Sequence, residues 1–159
     1  MSVTFRAAVT GDIAAITDLW DAGWHQGHGA TAPAALIRLR TRDSFADRVA
    51  AHLCGCFVAE HDGALAGFVM LEGAEVYQFY VAPAAQGRGV ARTMMAEAEH
   101  RLHARGITDA WLACGVGNDR AARFYAKCGW RDVGRRREPM ETAAGPFMLE
   151  IIRFEKRLP

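Results

Sequence analysis

Apolar residues recur along this chain at two spacings, which predict a regular succession of strands and helices. Apolar and β-branched runs bounded by glycine, proline or aspartate predict strands, whereas apolar residues three or four positions apart predict helices. The predicted strands are residues 3–8, 56–60, 65–71, 75–81, 110–114, 130–134 and 147–154. The predicted helices begin near residues 13, 33, 43 or 44, 87, and 118 or 119, and the first ends within the glycine-rich stretch 23–29. The clearest pattern is 87–104, where Val90, Met94, Ala98 and Leu102 share one face.

This order of elements predicts an α/β fold built on a mixed sheet of six to seven strands, with helices on both faces. The segment 75–114 forms a right-handed crossover if its two strands are parallel. The chain has 159 residues, of which 51% are hydrophobic, so it can bury a core of useful size. We therefore expect a single domain over residues 1–159.

The charges nearly cancel, and this narrows the range of partners. With 19 basic and 18 acidic residues, the net charge of +1 gives no general attraction to nucleic acid or to an acidic membrane surface. The basic run Arg135–Arg137 is expected to be solvated surface. The sequence shows no signal peptide and no apolar run of membrane-spanning length, so we expect a cytoplasmic location.

The cysteine spacing does not predict a metal site. Cys54 and Cys56 are one residue apart, and no second pair completes a zinc motif. We therefore expect no metal, and we expect Cys54, Cys56, Cys114 and Cys128 to be buried, reduced thiols.

The most informative segment is the glycine-rich turn between the strand 75–81 and the helix 87–104. Such a turn exposes N–H groups at the positive end of a helix dipole, which suits a phosphate or pyrophosphate. Gly87 and Gly89 let an anion approach the backbone closely, and Arg88 adds positive charge; the alternative is a plain strand-to-helix connection. A P-loop is excluded because this segment lacks the Gly-Lys-Ser/Thr ending. A dinucleotide-binding fingerprint is excluded because Arg92 stands where its third glycine belongs.

Two blocks of sequence resemble the GNAT acetyltransferases. The first, which follows Val81-x-Pro83, is similar to that family's acyl-CoA loop Q/R-x-x-G-x-G/A. It reads Gln86-Gly87-Arg88-Gly89-Val90-Ala91. The second resembles the family's N-x-x-A-x-x-F-Y-x-x-x-G-F/W. It reads Asn118-Asp119-Arg120-Ala121-Ala122-Arg123-Phe124-Tyr125-Ala126-Lys127-Cys128-Gly129-Trp130. The resemblance covers most of the chain and implies a GNAT-like fold and an acetyl-CoA-dependent N-acetyltransferase.

The resemblance also implies how acetyl-CoA is held. The fourth and fifth strands would splay apart to admit the pantetheine arm, and the amides of the glycine-rich turn would hold the pyrophosphate. The residues assigned to the cofactor are Phe79, Tyr80, Val81, Gln86, Gly87, Arg88, Gly89, Val90, Ala91 and Asn118. Asn118 would reach the polar arm with its amide, and its alternative role as a helix N-cap does not exclude that one.

Tyr125 matches the family's tyrosine acid. A phenol, with an ordinary pKa of about 10, can lend its proton to the departing thiolate of CoA. The alternative is that Tyr125 is simply the core aromatic of its helix beside Phe124. A backbone N–H near Val81 is the candidate donor to the oxyanion.

The general base is the least defined part of the predicted site. Glu75 stands where some family members carry a catalytic glutamate, and strand alternation would place it on one face with Tyr77, Phe79 and Val81. Other members place a glutamate near the middle of this strand, where Gln78 cannot act as a base. The alternatives are a solvated Glu75 at the strand edge and proton removal through water.

In the GNAT family, the acceptor pocket usually includes the region after the first helix. We expect Trp24, His25 and His28 to contribute, although a surface loop is the alternative for both histidines. Glu138 and Glu141, in a predicted loop before the last strand, could attract a cationic amine or be solvated. The acceptor is expected to be a small-molecule or peptide amine; the sequence neither requires nor excludes a homodimer.

A second class of function is a non-catalytic acyl-CoA-binding module used in sensing or assembly. The presence of Tyr125 beside an intact cofactor loop favours the enzyme over that module. Acetylation of a nucleic acid is disfavoured by the near-zero net charge.

Overall fold

The computed structural model describes residues 2–159 and contains five α-helices and seven strands within that range. The strands are β1 Thr4–Ala7, β2 Cys56–His61, β3 Ala64–Glu72, β4 Glu75–Val81, β5 Asp109–Gly115, β6 Arg131–Met140 and β7 Phe147–Arg157. The helices are α1 Ile13–His28, α2 Ala34–Leu39, α3 Arg42–Ala51, α4 Val90–Ala104 and α5 Asp119–Lys127.

The seven strands form one sheet in the order β1-β2-β3-β4-β5-β7-β6. Every neighbouring pair is antiparallel except β4 and β5, which are parallel and are joined through α4. The predicted mixed α/β sheet is therefore confirmed.

Two apolar clusters lie on opposite faces of the sheet, because alternate residues of β2 contribute to each. Phe57 packs with the apolar side of α4, including Met94, whereas Val58 packs with α1 and α3 through Trp20 and Phe45. Helices cover both faces, as predicted. The α4 side chains Val90, Met94, Ala98 and Leu102 are all buried.

Strands β4 and β5 pair only at Glu75 and Trp111 and then separate within the described residues. Strand β4 also contains a bulge: Gln78 pairs with Met70 and Val76 with Leu71, so Tyr77 is the extra residue. A bulge changes the face to which the side chains beyond it point.

The expectation that Glu75 shares a face with Phe79 and Val81 is therefore wrong. Phe79 and Val81 pack beside the α4 cluster, whereas Tyr77 and Tyr80 pack beside the α1 and α3 cluster. Glu75 lines the same cavity as Tyr77 and Tyr80, on that second face.

Helix α1 continues past the glycines that were expected to end it. A Cβ at Gly23 would lie 2.5 Å from the Tyr80 ring, so this glycine permits close packing of α1 on β4. His25 and His28 consequently lie on the last turns of α1 rather than in a loop.

Two other predicted boundaries also differ from the structure. The N-cap of α3 is Thr41 instead of Asp43 or Ser44, since Thr41 Oγ1 accepts a hydrogen bond of 3.2 Å from the Ser44 N–H. Strand β6 extends to Met140, which places Glu138 in a strand.

All four cysteines are free thiols, but they are not all buried. Cys56 and Cys114 are buried in strands, and Cys128 is half-buried. Cys54 is exposed, because it lies in the short turn of 3-10 helix Leu53–Gly55 that leads from α3 into β2.

The basic run Arg135–Arg137 is exposed on β6, as expected. None of the helices within residues 2–159 has the length and apolar character needed to cross a bilayer.

Candidate active site

Three adjoining cavities follow the gap between β4 and β5. The large cavity, about 870 Å³, lies between α1, the carboxyl end of β4, the turn 86–89 and α5. The inner cavity, about 340 Å³, lies between α1, α2, β4, β5 and the β6–β7 hairpin. A connecting cavity of about 120 Å³ lies between them, and Tyr80 lines all three.

The turn at one end of the large cavity has the geometry of an anion cradle. Gly87 and Gly89 adopt φ angles of +74° and +79°, a region that favours glycine. Within residues 2–159 the N–H groups of Gly87, Arg88 and Gly89 have no hydrogen-bond partner. They precede the N-terminus of α4, whose dipole adds positive potential, so the turn is suited to bind phosphate groups.

The free edge of β4 supplies further unpaired backbone groups. The Ala82 N–H donates to the Ala66 carbonyl of β3 at 2.8 Å. Because successive N–H groups in an antiparallel pair point in opposite directions, those of Phe79 and Val81 point into the gap. An extended ligand lying in the gap can therefore pair with β4 as a further strand would.

Asn118 caps α5 and also lines the cavity, so its location is compatible with both roles that the sequence suggested. Its side-chain oxygen accepts a hydrogen bond of 3.2 Å from the Ala121 N–H, which caps α5. The same residue lines the large and connecting cavities. Its capping bond fixes the orientation of the amide at the cavity wall.

Most of the predicted cofactor residues line the large cavity. They are Phe79, Tyr80, Val81, Gln86, Gly87, Gly89, Val90, Ala91 and Asn118. The exposed Arg88 is not among the lining residues, whereas Arg120 is.

Tyr125 lies where the large cavity meets the connecting cavity. Its ring packs against Phe124 and Phe154, with centroids 5.7 and 5.6 Å away. Burial raises the pKa of Tyr125 above its ordinary value. The phenol therefore stays protonated at working pH and can donate a hydrogen bond into the junction.

Glu75 lines the inner cavity at the point where β4 and β5 still pair. Burial, reinforced by the negative charges of Glu138 and Glu72, raises the pKa of Glu75 to about 7. A carboxylate with a pKa near neutrality is suited to accept a proton and release it again.

The predicted acceptor residues do not all line the inner cavity. Trp24 and His28 line the inner cavity, whereas His25 does not, because its Nε2 lies 2.9 Å from the Arg40 carbonyl oxygen. Burial, and then the positive charge of Arg40, lower the pKa of His28, so its imidazole is neutral at pH 7.

Glu141 is held in a polar network at the rim of the inner cavity. Its Oε1 accepts a hydrogen bond of 3.0 Å from the Tyr77 hydroxyl and lies 2.9 Å from His52 Nε2 and 3.4 Å from Arg48 Nε. Desolvation opposes ionisation of Glu141, but the His52 and Tyr77 hydrogen bonds outweigh it and lower its pKa. Glu141 is therefore an anion already matched by protein groups.

Several cavity residues were not singled out from the sequence, among them Arg40, Arg48 and Trp111. The sequence could have indicated Arg48, because this residue falls on the buried side of α3 with Phe45 and Val49. Trp111 faces away from the buried Leu112 of β5, so strand alternation could have indicated it. No local pattern indicates Arg40.

Comparisons with known proteins are consistent with this geometry. An uncharacterized N-acetyltransferase of Mycobacterium tuberculosis (strain ATCC 25618 / H37Rv) is 34% identical over 83 residues, covering 49% of this chain and 53% of that protein. A Mycobacterium bovis N-acetyltransferase, also uncharacterized, matches to the same extent. The chain thus spans about half the length of the curated relatives it matches.

Solved structures share the fold over nearly the full length. A GCN5-related N-acetyltransferase from Rhodopseudomonas palustris superposes with a TM-score of 0.76 at 23% identity, covering 99% of this chain and 97% of that one. The PaiA N-acetyltransferase of Thermoplasma acidophilum, in complex with coenzyme A, gives 0.73 at 18% identity, with 99% of both chains covered. Spermidine N-acetyltransferase from Vibrio cholerae, in complex with CoA and spermine, gives 0.69 at 23% identity, covering 98% and 95%.

The sequence itself matches the family model described as the acetyltransferase (GNAT) family over residues 13–130. That range begins with α1 and ends just after α5, so it contains both walls of the large cavity and the glycine-rich turn. With the cradle, the separated strands and the matching fold, this match establishes that the chain belongs to the acetyltransferase (GNAT) family.

Proposed function

We propose that this protein is an acetyl-CoA-dependent N-acetyltransferase that acetylates a primary amine by direct attack in a ternary complex. The observation that carries the proposal is the meeting of two different cavities at Tyr80. One cavity ends in an anion cradle, and the other contains a carboxylate with a near-neutral pKa. Family membership and the CoA complexes of structural neighbours support the same assignment.

The cradle and the edge of β4 fit the cofactor. Acetyl-CoA, when bound, supplies an acetyl group activated as a thioester. The N–H groups of Gly87 and Gly89 would hold its pyrophosphate, and backbone groups of Phe79 and Val81 would pair with the pantetheine arm. Arg120 adds positive charge at the cavity wall.

The acceptor amine would enter through the inner cavity and reach the junction from the opposite side. Glu75 would take the proton that the amine nitrogen loses when it bonds to the acetyl carbon, directly or through a water molecule. A backbone N–H near Val81 would donate a hydrogen bond to the carbonyl oxygen as negative charge develops there. Tyr125 would donate a hydrogen bond to the sulfur as it leaves.

The size of the inner cavity favours a small-molecule acceptor. Its volume of about 340 Å³ falls within the range of pockets that hold small ligands, about 300–1,000 Å³. A spermidine N-acetyltransferase is among the structural neighbours, which also supports a small amine as the class of acceptor.

Two measurements test the proposal in sequence. Calorimetric titration of the purified protein with acetyl-CoA and with CoA is expected to show binding of both. A panel of amines, read out by release of free thiol, is then expected to contain at least one acceptor. Binding without turnover on any amine would support the non-catalytic acyl-CoA-binding module, and absence of binding would refute the cofactor assignment.

Replacing Tyr125 by phenylalanine is expected to lower kcat by about tenfold to hundredfold. The effect lies at the low end of acid catalysis because a thiolate leaves readily. Affinity for acetyl-CoA in calorimetry should stay within about threefold, since the ring and its contacts with Phe124 and Phe154 remain. An unchanged kcat would leave Tyr125 as a packing residue only.

A further inference from the structure

We infer that the acceptor is a small amine that also carries a carboxylate, as amino acids do, and that Arg40 binds this carboxylate. The inference rests on the proposed function and narrows it from amines in general to amino acids with a large apolar side chain.

Arg40 is a buried cation in the wall of the inner cavity, with a relative exposure of 3%. Its guanidinium donates one hydrogen bond, of 2.6 Å, to the Glu141 backbone carbonyl. Its Nε has no partner, and no carboxylate lies within ion-pair distance of it among residues 2–159. Burying a charge without an opposite charge is costly, so a ligand anion is the natural partner.

The neighbouring Arg48 shows the contrast. It reaches the Glu141 carboxylate at 3.4 Å and donates a hydrogen bond of 2.9 Å to the Tyr77 hydroxyl. Its guanidinium also lies 4.1 Å from the centroid of the Trp20 ring. Among residues 2–159, Arg48 thus has a carboxylate partner, although its Nη1 has no hydrogen-bond partner. Arg40 has no carboxylate beside it, and its guanidinium lies 5.8 Å from the centroid of the Trp24 ring. Desolvation, and then the positive charge of Arg48, lower the pKa of Arg40 to about 10, which still leaves it a cation at neutral pH.

Acidic groups without basic partners line the same cavity. Among the described residues, Glu75 and Glu138 make no ion pair, whereas Glu150 is matched by Arg135 at 2.9 Å. The cavity therefore presents one unmatched cation and two unmatched acids. The carboxylate of an amino acid can pair with Arg40, and its ammonium group can lie near the acids. A polyamine would instead place extra positive charge near Arg40.

Apolar side chains, both aromatic and aliphatic, make up much of the remaining wall. Trp24, Tyr77 and Trp111 surround the cavity, together with Leu36 and Leu149. Aromatic and aliphatic walls favour an apolar body on the ligand over a second polar group. This selects amino acids with large apolar side chains over glycine, serine or the acidic amino acids.

The first test compares matched acceptors on the wild-type enzyme. Phenylalanine, leucine, methionine and tryptophan are each assayed by thiol release against their amides and their decarboxylated amines, with spermidine included. We expect kcat/KM for the best amino acid to exceed that of its amide and its decarboxylated amine by at least about 30-fold. An enzyme that acetylates the decarboxylated amines or spermidine equally well, or that acetylates no amino acid, would overturn the inference.

The second test replaces Arg40. Arg40→Gln is expected to lower kcat/KM for the preferred amino acid about 30- to 100-fold and to change that of the decarboxylated amine less than about threefold. The decisive quantity is the ratio of kcat/KM for the amino acid to kcat/KM for the decarboxylated amine, because a general disturbance of the fold lowers both together. Arg40→Lys should restore part of the preference, since it keeps the charge but loses the planar fork.

The matched control is Arg38→Gln, the same change at an exposed position of α2, which should leave both values unchanged. If Arg40→Gln lowers kcat/KM for the amino acid and the amine equally, Arg40 does not bind the carboxylate. Acetyl-CoA binding and turnover on any amine test the proposed function separately, so that function can stand while this inference fails.

Discussion

Replacing Gly89 by glutamate is expected to weaken acetyl-CoA binding at least about 1000-fold, measured by calorimetry. A loss of that size corresponds to about 4 kcal/mol. Gly89 is the N-cap of α4 and lies in the turn whose N–H groups point at the expected pyrophosphate. The new side chain would fill the cradle and would place a carboxylate where the phosphates need positive potential. Retention of wild-type affinity would show that the cradle does not hold the pyrophosphate.

The chain offers a closely matched control for this substitution. Gly63, in the β2–β3 turn, has a φ angle of +75° against +79° for Gly89, and a Cβ at either position meets nothing within 4 Å. Gly63→Glu therefore introduces the same backbone strain and the same charge away from the cavity. It should bind acetyl-CoA like the wild type, so a difference between the two variants reports the cradle alone.

The cradle could be predicted from the sequence because its geometry is local. A strand, two glycines two residues apart and an amphipathic helix follow one another without interruption, and each dictates the conformation of the next. The roles of Asn118 and Tyr125 were predicted from the resemblance to the GNAT motif, and local helix chemistry indicated only that Asn118 could cap α5. The β4 edge, the turn and α5 each follow from such short-range patterns, whereas α1 joins the large cavity through tertiary contacts.

The inner cavity could not be predicted in the same way. Arg40 hydrogen-bonds the backbone of Glu141, a residue 101 positions later in the chain. The bulge at Tyr77 re-aims Glu75, and neither the pairing of β4 with β3 nor its separation from β5 follows from the residues of β4 alone. The proposed acceptor site therefore depends on tertiary contacts, which alternation and periodicity do not report.

This division has a functional consequence. The elements proposed to hold the cofactor are the β4 edge, the turn and α5, each of which is one continuous segment. The proposed acceptor cavity combines α1, α2, β4, β5 and the β6–β7 hairpin. Tyr80 is the one residue of 2–159 that lines both the large cavity, proposed for the cofactor, and the inner cavity, proposed for the acceptor. Most side chains of one cavity can therefore change without altering the other.

Glu75→Gln is expected to lower kcat/KM about 100- to 1000-fold at pH 8. Burial and the charges of Glu138 and Glu72 raise the pKa of Glu75 to about 7, so the wild-type carboxylate is ionised above that pH and protonated below it. Because a base acts only when deprotonated, wild-type kcat/KM should rise with pH through about 7. The variant should lose that inflection and keep only the one set by the acceptor amine itself.

Stability should change in the opposite direction, which separates a lost base from a damaged fold. A carboxylate whose pKa is raised on folding destabilises the native state as pH rises from its unfolded pKa, about 4.3, towards 7. Glutamine carries no charge, so the thermal midpoint of Glu75→Gln at pH 8 should equal or exceed that of the wild type. The matched control is Glu72→Gln, at the exposed end of β3, which should keep full activity and shift the inflection slightly to lower pH. If the Glu75→Gln enzyme keeps both its rate and the inflection near pH 7, the proton leaves through water and Glu75 is not the base.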